Sequence, residues 1–206
     1  MEDQFFQSVA GLAQGPPKVF APLIVSDATA IGHRIPREYF VTRGFGESDV
    51  TVHAGSYHLA LRAAGIEMCN IITYSSILPA CAIEVEHPKR LLHGAVMETI
   101  MANATSRRGK RATAGLIFGW LHRRDNGEKH GGFVCECNGS MSKVKAEEQL
   151  FASLDELYRN GYEDEFELRN VRTIIESFVP RKRFGSAVVA ICILNHYIPI
   201  LSPAQG

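Results

Sequence analysis

The segment that decides the fold is residues 64–79, which read AGIEMCNIITYSSILP. Gly65 closes a stretch of helical spacing, and glycine readily adopts the left-handed conformation that ends many helices. Residues 69–74 are rich in strand-forming side chains, and the proline that closes the segment disfavours a continuing central strand. The segment therefore predicts a helix end followed by a strand that stops at Ser75-Ser76. Taken alone the serine pair is a weak signal, because adjacent serines usually do no more than end a strand.

On the N-terminal side of this segment the sequence predicts one strand and one helix. Residues 39–42 are typical of a strand, and residues 44–46, Gly-Phe-Gly, predict a tight turn at its end. Residues 56–64 carry apolar side chains at helical spacing. The start of the chain shows little periodicity, so we predict an N-terminal extension over residues 1–34 and one domain over residues 35–206.

On the C-terminal side the sequence predicts five further strands and one long helix. The strands are residues 94–102, 113–122, 132–137, 171–179 and 186–194. Asn126-Gly127 is a strong hairpin signal between the second and the third of them. Residues 144–158 have helical periodicity, with Ser142 as a cap and Gly161 as the end. Because strands and helices do not alternate regularly, the fold class is α+β.

The composition is that of a soluble globular protein. Lys and Arg together number 22, as do Asp and Glu, so no net field attracts nucleic acid. No apolar run approaches the 18 or so residues that span a bilayer, so we expect no membrane partner. Glu2 and Asp3 stand where a signal peptide would be positive. The five cysteines show no disulfide framework, and we therefore expect a cytoplasmic protein.

A metal site is not predicted. Cys135 and Cys137, near His122 and His130, are separated by one residue on a predicted strand. The histidines show no Glu-x-x-His or other metal-ligand spacing, so two thiols alone do not supply the ligands that a zinc ion needs. The two cysteines are therefore interpreted as buried or half-buried thiols.

Several motifs in one order resemble the family of pyruvoyl-dependent arginine decarboxylases, in its bacterial, chlamydial-type branch. They are residues 64–79 together with Gly-Phe-Gly-Glu-Ser-Asp (44–49), His-Gly-Ala-Val-Met-Glu (93–98), Gly-Gly-Phe-Val-Cys-Glu (131–136) and Phe-Gly (184–185). The resemblance covers roughly Ile35 to His196, and its specificity comes from the order of the motifs.

The resemblance implies a fold and a maturation step. The expected fold is a four-layer αββα-type sandwich of mainly antiparallel strands, assembled as a homo-oligomer, a trimer or a dimer of trimers, with active sites between subunits. The chain is expected to cut itself between Ser75 and Ser76 and to convert residue 76 into a covalent pyruvoyl cofactor. The hydroxyl of Ser76 would attack the carbonyl of Ser75, and elimination and loss of ammonia would follow.

The resemblance also implies site residues for a small amino-acid substrate, expected to be L-arginine, which would yield agmatine and CO₂. Glu136 matches the acid that returns a proton after decarboxylation, a step distinct from cleavage. Asn70 and Ser75 match positions near the bound substrate, as does Ile77. Glu98 lies in a shared motif, and we assign it nothing beyond site lining or an interfacial ion pair.

One departure from the family pattern bears on the substrate. The family places a guanidinium-binding aspartate on the helix before residue 65, where this chain has His58. A mostly neutral imidazole cannot replace a fork-shaped ion pair. Three alternatives therefore stay open: a decarboxylase of another amino acid, a non-catalytic family member, and a metal-dependent hydrolase that uses His and Cys.

Overall fold

The computed structural model describes residues 32–199. Most of the predicted extension, residues 1–31, lies outside them. The described strands are β1 (Ile35–Pro36), β2 (Glu38–Ser48), β3 (Asn70–Thr73), β4 (Ile77–Pro79), β5 (Ile83–Glu84), β6 (Val96–Arg107), β7 (Ala112–Arg123), β8 (Lys129–Gly139), β9 (Phe166–Phe178), β10 (Phe184–Ile193) and β11 (His196–Tyr197). A π-helical segment, Val52–Tyr57, continues into helix α1 (His58–Ala63), and helix α2 spans Lys143–Arg159.

The strands form two main sheets and one ribbon. A five-stranded sheet has the order β3-β6-β10-β2-β5, and a four-stranded sheet has the order β4-β8-β7-β9. Strands β1 and β11 pair as a separate two-stranded ribbon. Pairing is antiparallel except for the two edge pairs of the larger sheet, β3 with β6 and β2 with β5.

The two main sheets pack face to face, and one helix covers the outer face of each. A central apolar cluster between the sheets includes Ile100, Leu116 and Val189. A second cluster joins α1 to the five-stranded sheet, and a third joins α2 to the four-stranded sheet. Because β7 is covered on both faces, ten of its twelve residues are buried, which explains its mostly apolar sequence. The chain is thus an α+β sandwich of mainly antiparallel strands, layered helix, sheet, sheet, helix.

The tight turn predicted at residues 44–46 is wrong, because β2 continues through both glycines to Ser48. A Cβ atom on Gly44 would lie 2.4 Å from the carbonyl oxygen of Ala60, and one on Gly46 would lie 2.4 Å from that of Ser56. The glycines therefore allow the helical segment to approach the strand backbone closely.

The predicted end of α1 and the predicted start of α2 agree with the structure. Gly65 has φ +74° just after α1, and Ser142 caps α2 by accepting a hydrogen bond from the backbone N–H of Lys145 at 3.2 Å.

Among residues 32–199, no helix has the length and apolar character needed to cross a membrane. The same residues contain no group of three or more metal-ligating side chains, and Cys137 is buried while Cys135 is half-buried.

Candidate active site

The serine pair lies where the chain crosses from one sheet to the other. β3 is an edge strand of the five-stranded sheet, and β4 is an edge strand of the four-stranded sheet. The backbone N–H of Tyr74 donates to the carbonyl of Thr99 at 2.6 Å, and the carbonyl of Ser76 accepts from Val134 N–H at 3.0 Å. One side of the crossover is thus tied to the first sheet and the other side to the second.

A three-residue turn is centred on Ser76. The backbone N–H of Ile77 donates to the carbonyl of Ser75 at 3.1 Å, which closes a γ-turn around the residue between them. The Ser75 carbonyl oxygen therefore accepts a hydrogen bond from Ile77 N–H. A donor aimed at a carbonyl oxygen stabilises the negative charge that develops there under nucleophilic attack. Ser75 is exposed and Ser76 is half-buried.

The side chain of Ser76 points to a carboxylate 60 residues away. Its hydroxyl lies 3.0 Å from Oε2 and 3.2 Å from Oε1 of Glu136, as donor to both. The contact follows from strand pairing, because β4 lies beside β8 with Ile77 opposite Phe133. Ser75, Ser76, Ile77 and Glu136 are therefore brought together, as the family pattern implies.

The surroundings of Glu136 favour its protonated form. The protein atoms crowded around the carboxylate raise its pKa above the ordinary value, and the hydrogen bond from Ser76 acts in the opposite direction. The neighbouring Cys135 lies on the other face of β8, against the cluster that holds α2, and burial there raises the pKa of its thiol to about 11. A carboxyl with a raised pKa can exchange protons nearer to neutral pH than a solvated glutamate can.

Ile77 also borders an apolar cleft on the C-terminal side of the serine pair. The cleft has a volume of about 220 Å³ and is lined by residues of β4, β7 and β8 and by the aromatic ring of Tyr162. The Ile77 side chain is 59% exposed. An open apolar surface thus adjoins Ser76.

Asn70 and His58 lie apart from the serine pair within the chain. Asn70 begins β3, and its side chain donates to the carbonyl of Gly94 at 2.9 Å, away from the end of β3 that leads to Ser75. His58 is exposed at the start of α1, where it lines a separate cavity of about 320 Å³ with His53 and Tyr57. The separation follows from the layers, because α1 covers the outer face of its sheet whereas Ser76 lies at the sheet edges.

A second polar cluster near the crossover was not predicted. Glu98, on β6, is only 3% exposed and lies within ion-pair distance of Arg34 and His196. The sequence does contain a signal for the burial of Glu98. Side chains of β6 alternate between the two faces of the sheet, and Glu98 lies on the same face as Ile100 and other core residues. The partners of Glu98 come from distant parts of the chain, and no local pattern indicates them.

The sequence is similar to that of proteins from one family. The family model described as pyruvoyl-dependent arginine decarboxylase matches residues 38–197. The pyruvoyl-dependent arginine decarboxylase AaxB of Chlamydia trachomatis serovar L2 is 31% identical over 185 residues, which cover 80% of this chain and 93% of that protein. AaxB of Chlamydia pneumoniae is 30% identical over 195 residues, with 81% and 94% covered. Pyruvoyl-dependent arginine decarboxylase 1 of Archaeoglobus fulgidus is 35% identical over 130 residues, with 55% and 81% covered.

Proposed function

This chain belongs to the family of pyruvoyl-dependent arginine decarboxylases, and we propose that it makes its pyruvoyl group from its own Ser76 and decarboxylates L-arginine to agmatine. Membership makes the protein a carboxy-lyase whose cofactor is a covalently bound pyruvoyl group. The observation that carries the proposal is the hydrogen bond from the Ser76 hydroxyl to Glu136 at the crossover between the sheets.

The residues at the crossover fit the formation of such a group. Ser76 Oγ would attack the carbonyl carbon of Ser75, the peptide C–N bond would break, and an ester would link the two residues. Loss of the α-proton of residue 76 would then expel the Ser75 carboxylate. The dehydrated residue left at position 76 takes up water and releases ammonia, which yields the pyruvoyl group. The hydrogen bond that Ile77 N–H donates to the Ser75 carbonyl supports the first of these steps.

We propose two roles for Glu136. In the uncut chain its carboxylate accepts the hydrogen bond of the attacking hydroxyl, so it is suited to take that proton as a general base. This role adds to the sequence-based expectation, in which Glu136 acts only after cleavage. In the mature protein the pyruvoyl group supplies the electron sink for loss of CO₂. Glu136, with its raised pKa, would then return a proton to the substrate α-carbon.

The substrate is proposed from the names of the relatives, which are arginine decarboxylases. His58 remains the departure that favours a different amino acid, and its cavity is lined by two imidazoles and a phenol with no carboxylate. A non-catalytic role is less well supported, because Ser76 and Glu136 keep both the residue types and the contact that the reaction needs.

We further propose that a second copy of the chain completes the site. Asn70 and His58 lie apart from Ser76 within one chain, so a substrate could touch all three only at a subunit interface. Large apolar side chains are exposed around the edge formed by β3 and its neighbours, namely Met68, Ile72, Ile77, Leu92 and Val96. Such a surface is typical of an interface, and a trimer or a dimer of trimers, as the family resemblance implies, would cover it.

A pair of serine variants tests the proposal. Ser76→Ala removes the attacking hydroxyl and is expected to leave one chain of 206 residues. Ser75→Ala keeps that hydroxyl and is expected to yield two fragments, as the unmodified protein does. Denaturing gel electrophoresis and mass spectrometry of the fragment that begins at residue 76 measure both. An unmodified protein that stays full length with an ordinary serine at position 76 would refute the mechanism.

A further inference from the structure

A buried carboxylate next to the crossover has no part in the function proposed so far. Glu98 is 3% exposed and is the single charged side chain that is buried among residues 32–199. Burial of a charge is costly unless partners compensate it. Arg34 Nη2 lies 2.6 Å from Oε1 of Glu98, and His196 Nε2 lies 2.5 Å from Oε2. Both carboxylate oxygens thus face nitrogen groups from distant parts of the chain.

The ribbon of β1 and β11 brings these two partners to Glu98. Pro36 of β1 pairs with His196 of β11, and Arg34 directly precedes β1. The two strands have only two residues each, so the backbone hydrogen bonds between them stabilise the ribbon only slightly. The contacts of Glu98 with Arg34 and His196 therefore join this ribbon to β6 of the five-stranded sheet.

Tyr74 connects this group to the serine pair. The Arg34 guanidinium, besides contacting Glu98, lies 3.5 Å from the hydroxyl of Tyr74. Burial raises the pKa of the Tyr74 phenol, and the Glu98 carboxylate raises it further, so the phenol stays protonated and can donate. The Tyr74 backbone is bound to Thr99, the residue after Glu98. We call Arg34, Tyr74, Glu98 and His196 the Glu98 cluster.

We infer that the Glu98 cluster holds Tyr74 in the orientation that presents the Ser75 carbonyl to the Ser76 hydroxyl, so that Glu98 and Tyr74 are positioning residues for self-cleavage. The inference rests on the proposed function. Attack requires the two reacting atoms to approach to roughly 3–3.5 Å, and a displacement of 1 Å can reduce a rate about 10²-fold. The Ser75 carbonyl follows Tyr74 along the chain by one residue, so the anchored ring and backbone of Tyr74 fix where Ser75 begins and limit how far its carbonyl can move.

The cluster has members on both sides of the proposed cut. Arg34 and Tyr74 precede it, whereas Glu98 and His196 follow it. The ion pair between Arg34 and Glu98 therefore joins the two fragments after cleavage as well as positioning the bond before it. Variants that keep the shape of the side chains separate the positioning role from simple loss of the fold.

The test compares the rates of cleavage of Tyr74→Phe and Glu98→Gln with that of the unmodified protein. Tyr197→Phe is the matched control, because Tyr197 lies in the same ribbon but its hydroxyl contacts Arg37 and not Glu98. The time course of fragment formation is followed on denaturing gels. Thermal unfolding is measured in a Ser76→Ala background, so that every variant is compared as an uncut chain.

We expect Tyr74→Phe and Glu98→Gln to be cleaved about tenfold to 10²-fold more slowly than the unmodified protein. Tyr197→Phe should be cleaved at the unmodified rate. The uncut chains should all unfold at similar temperatures. Cleavage of both cluster variants at the unmodified rate would overturn the inference. Equal slowing of Tyr197→Phe, or slowing that follows the loss of thermal stability, would overturn it too. An unmodified protein that never cleaves would refute the proposed function first and this inference with it.

Discussion

Replacement of Glu136 by glutamine tests both roles that we propose for this residue. The Ser76 hydroxyl lies 3.0 and 3.2 Å from the two carboxylate oxygens. Glutamine keeps the length of the side chain and one acceptor oxygen, so the hydroxyl should keep its position. The amide cannot take up the proton, however, and general acid or base catalysis contributes typically about 10²- to 10⁴-fold. That range corresponds to roughly 3 to 5 kcal/mol of barrier.

We therefore expect Glu136→Gln to slow self-cleavage by about 10²-fold or more and to slow substrate turnover by a similar factor once cut chains accumulate. Cleavage is measured as the loss of full-length chain on denaturing gels, and turnover is measured as CO₂ release per cut chain. The matched control is Glu128→Gln, an exposed glutamate in the hairpin before β8. Cleavage of Glu136→Gln at the unmodified rate would exclude the base role, and undiminished turnover would exclude the acid role.

Three further predictions concern the substrate, pH and packing. His58→Asp should gain arginine turnover by about ten- to a hundredfold, since a charge-assisted hydrogen bond contributes roughly 1.5–3 kcal/mol. The gain is measured as CO₂ release from a panel of amino acids. Better arginine turnover by the unmodified protein than by His58→Asp would contradict the prediction. The cleavage rate should fall as pH falls through a value above 4.5, because Glu136 must be ionised to act as a base and its pKa is raised; this limb should vanish in Glu136→Gln. Gly46→Ala would place its Cβ 2.4 Å from a backbone oxygen of the helical segment, so we expect a loss of about 1–3 kcal/mol of unfolding free energy in thermal unfolding.

The elements of the fold could largely be predicted from side-chain periodicity. β7 was predicted as a strand over residues 113–122, and the cap and spacing of α2 located that helix to within a residue at each end. β9 begins at Phe166, five residues before the predicted strand, because its first half carries charged side chains on an exposed face. A strand at the edge of a sheet needs no apolar pattern on its solvent side.

The predictions from sequence that were wrong or missing have physical causes. Glycine permits a turn and also permits close packing of backbone on backbone, so the glycines at 44 and 46 could not be assigned from sequence. The contact of Ser76 with Glu136 depends on the pairing of β4 with β8, which local patterns do not determine. The family resemblance implied that both residues belong to one site but not that they touch. The partners of Glu98 depend on the ribbon that joins the two ends of the described chain, and no periodicity indicates that pairing.

The strand order of the five-stranded sheet has a consequence for refolding. β2 and β3 come from the part of the chain before Ser76, while β5, β6 and β10 come from the part after it, and β2 pairs with β10 over ten residues. Neither part can build this sheet by itself, so the whole chain must fold before the cut. If the bond is cut as proposed, recovery from the denatured state would no longer be a first-order event but an encounter of two molecules, and its yield should depend on protein concentration. Maturation would thus convert a chain that can refold alone into one that, in dilute solution, folds only once.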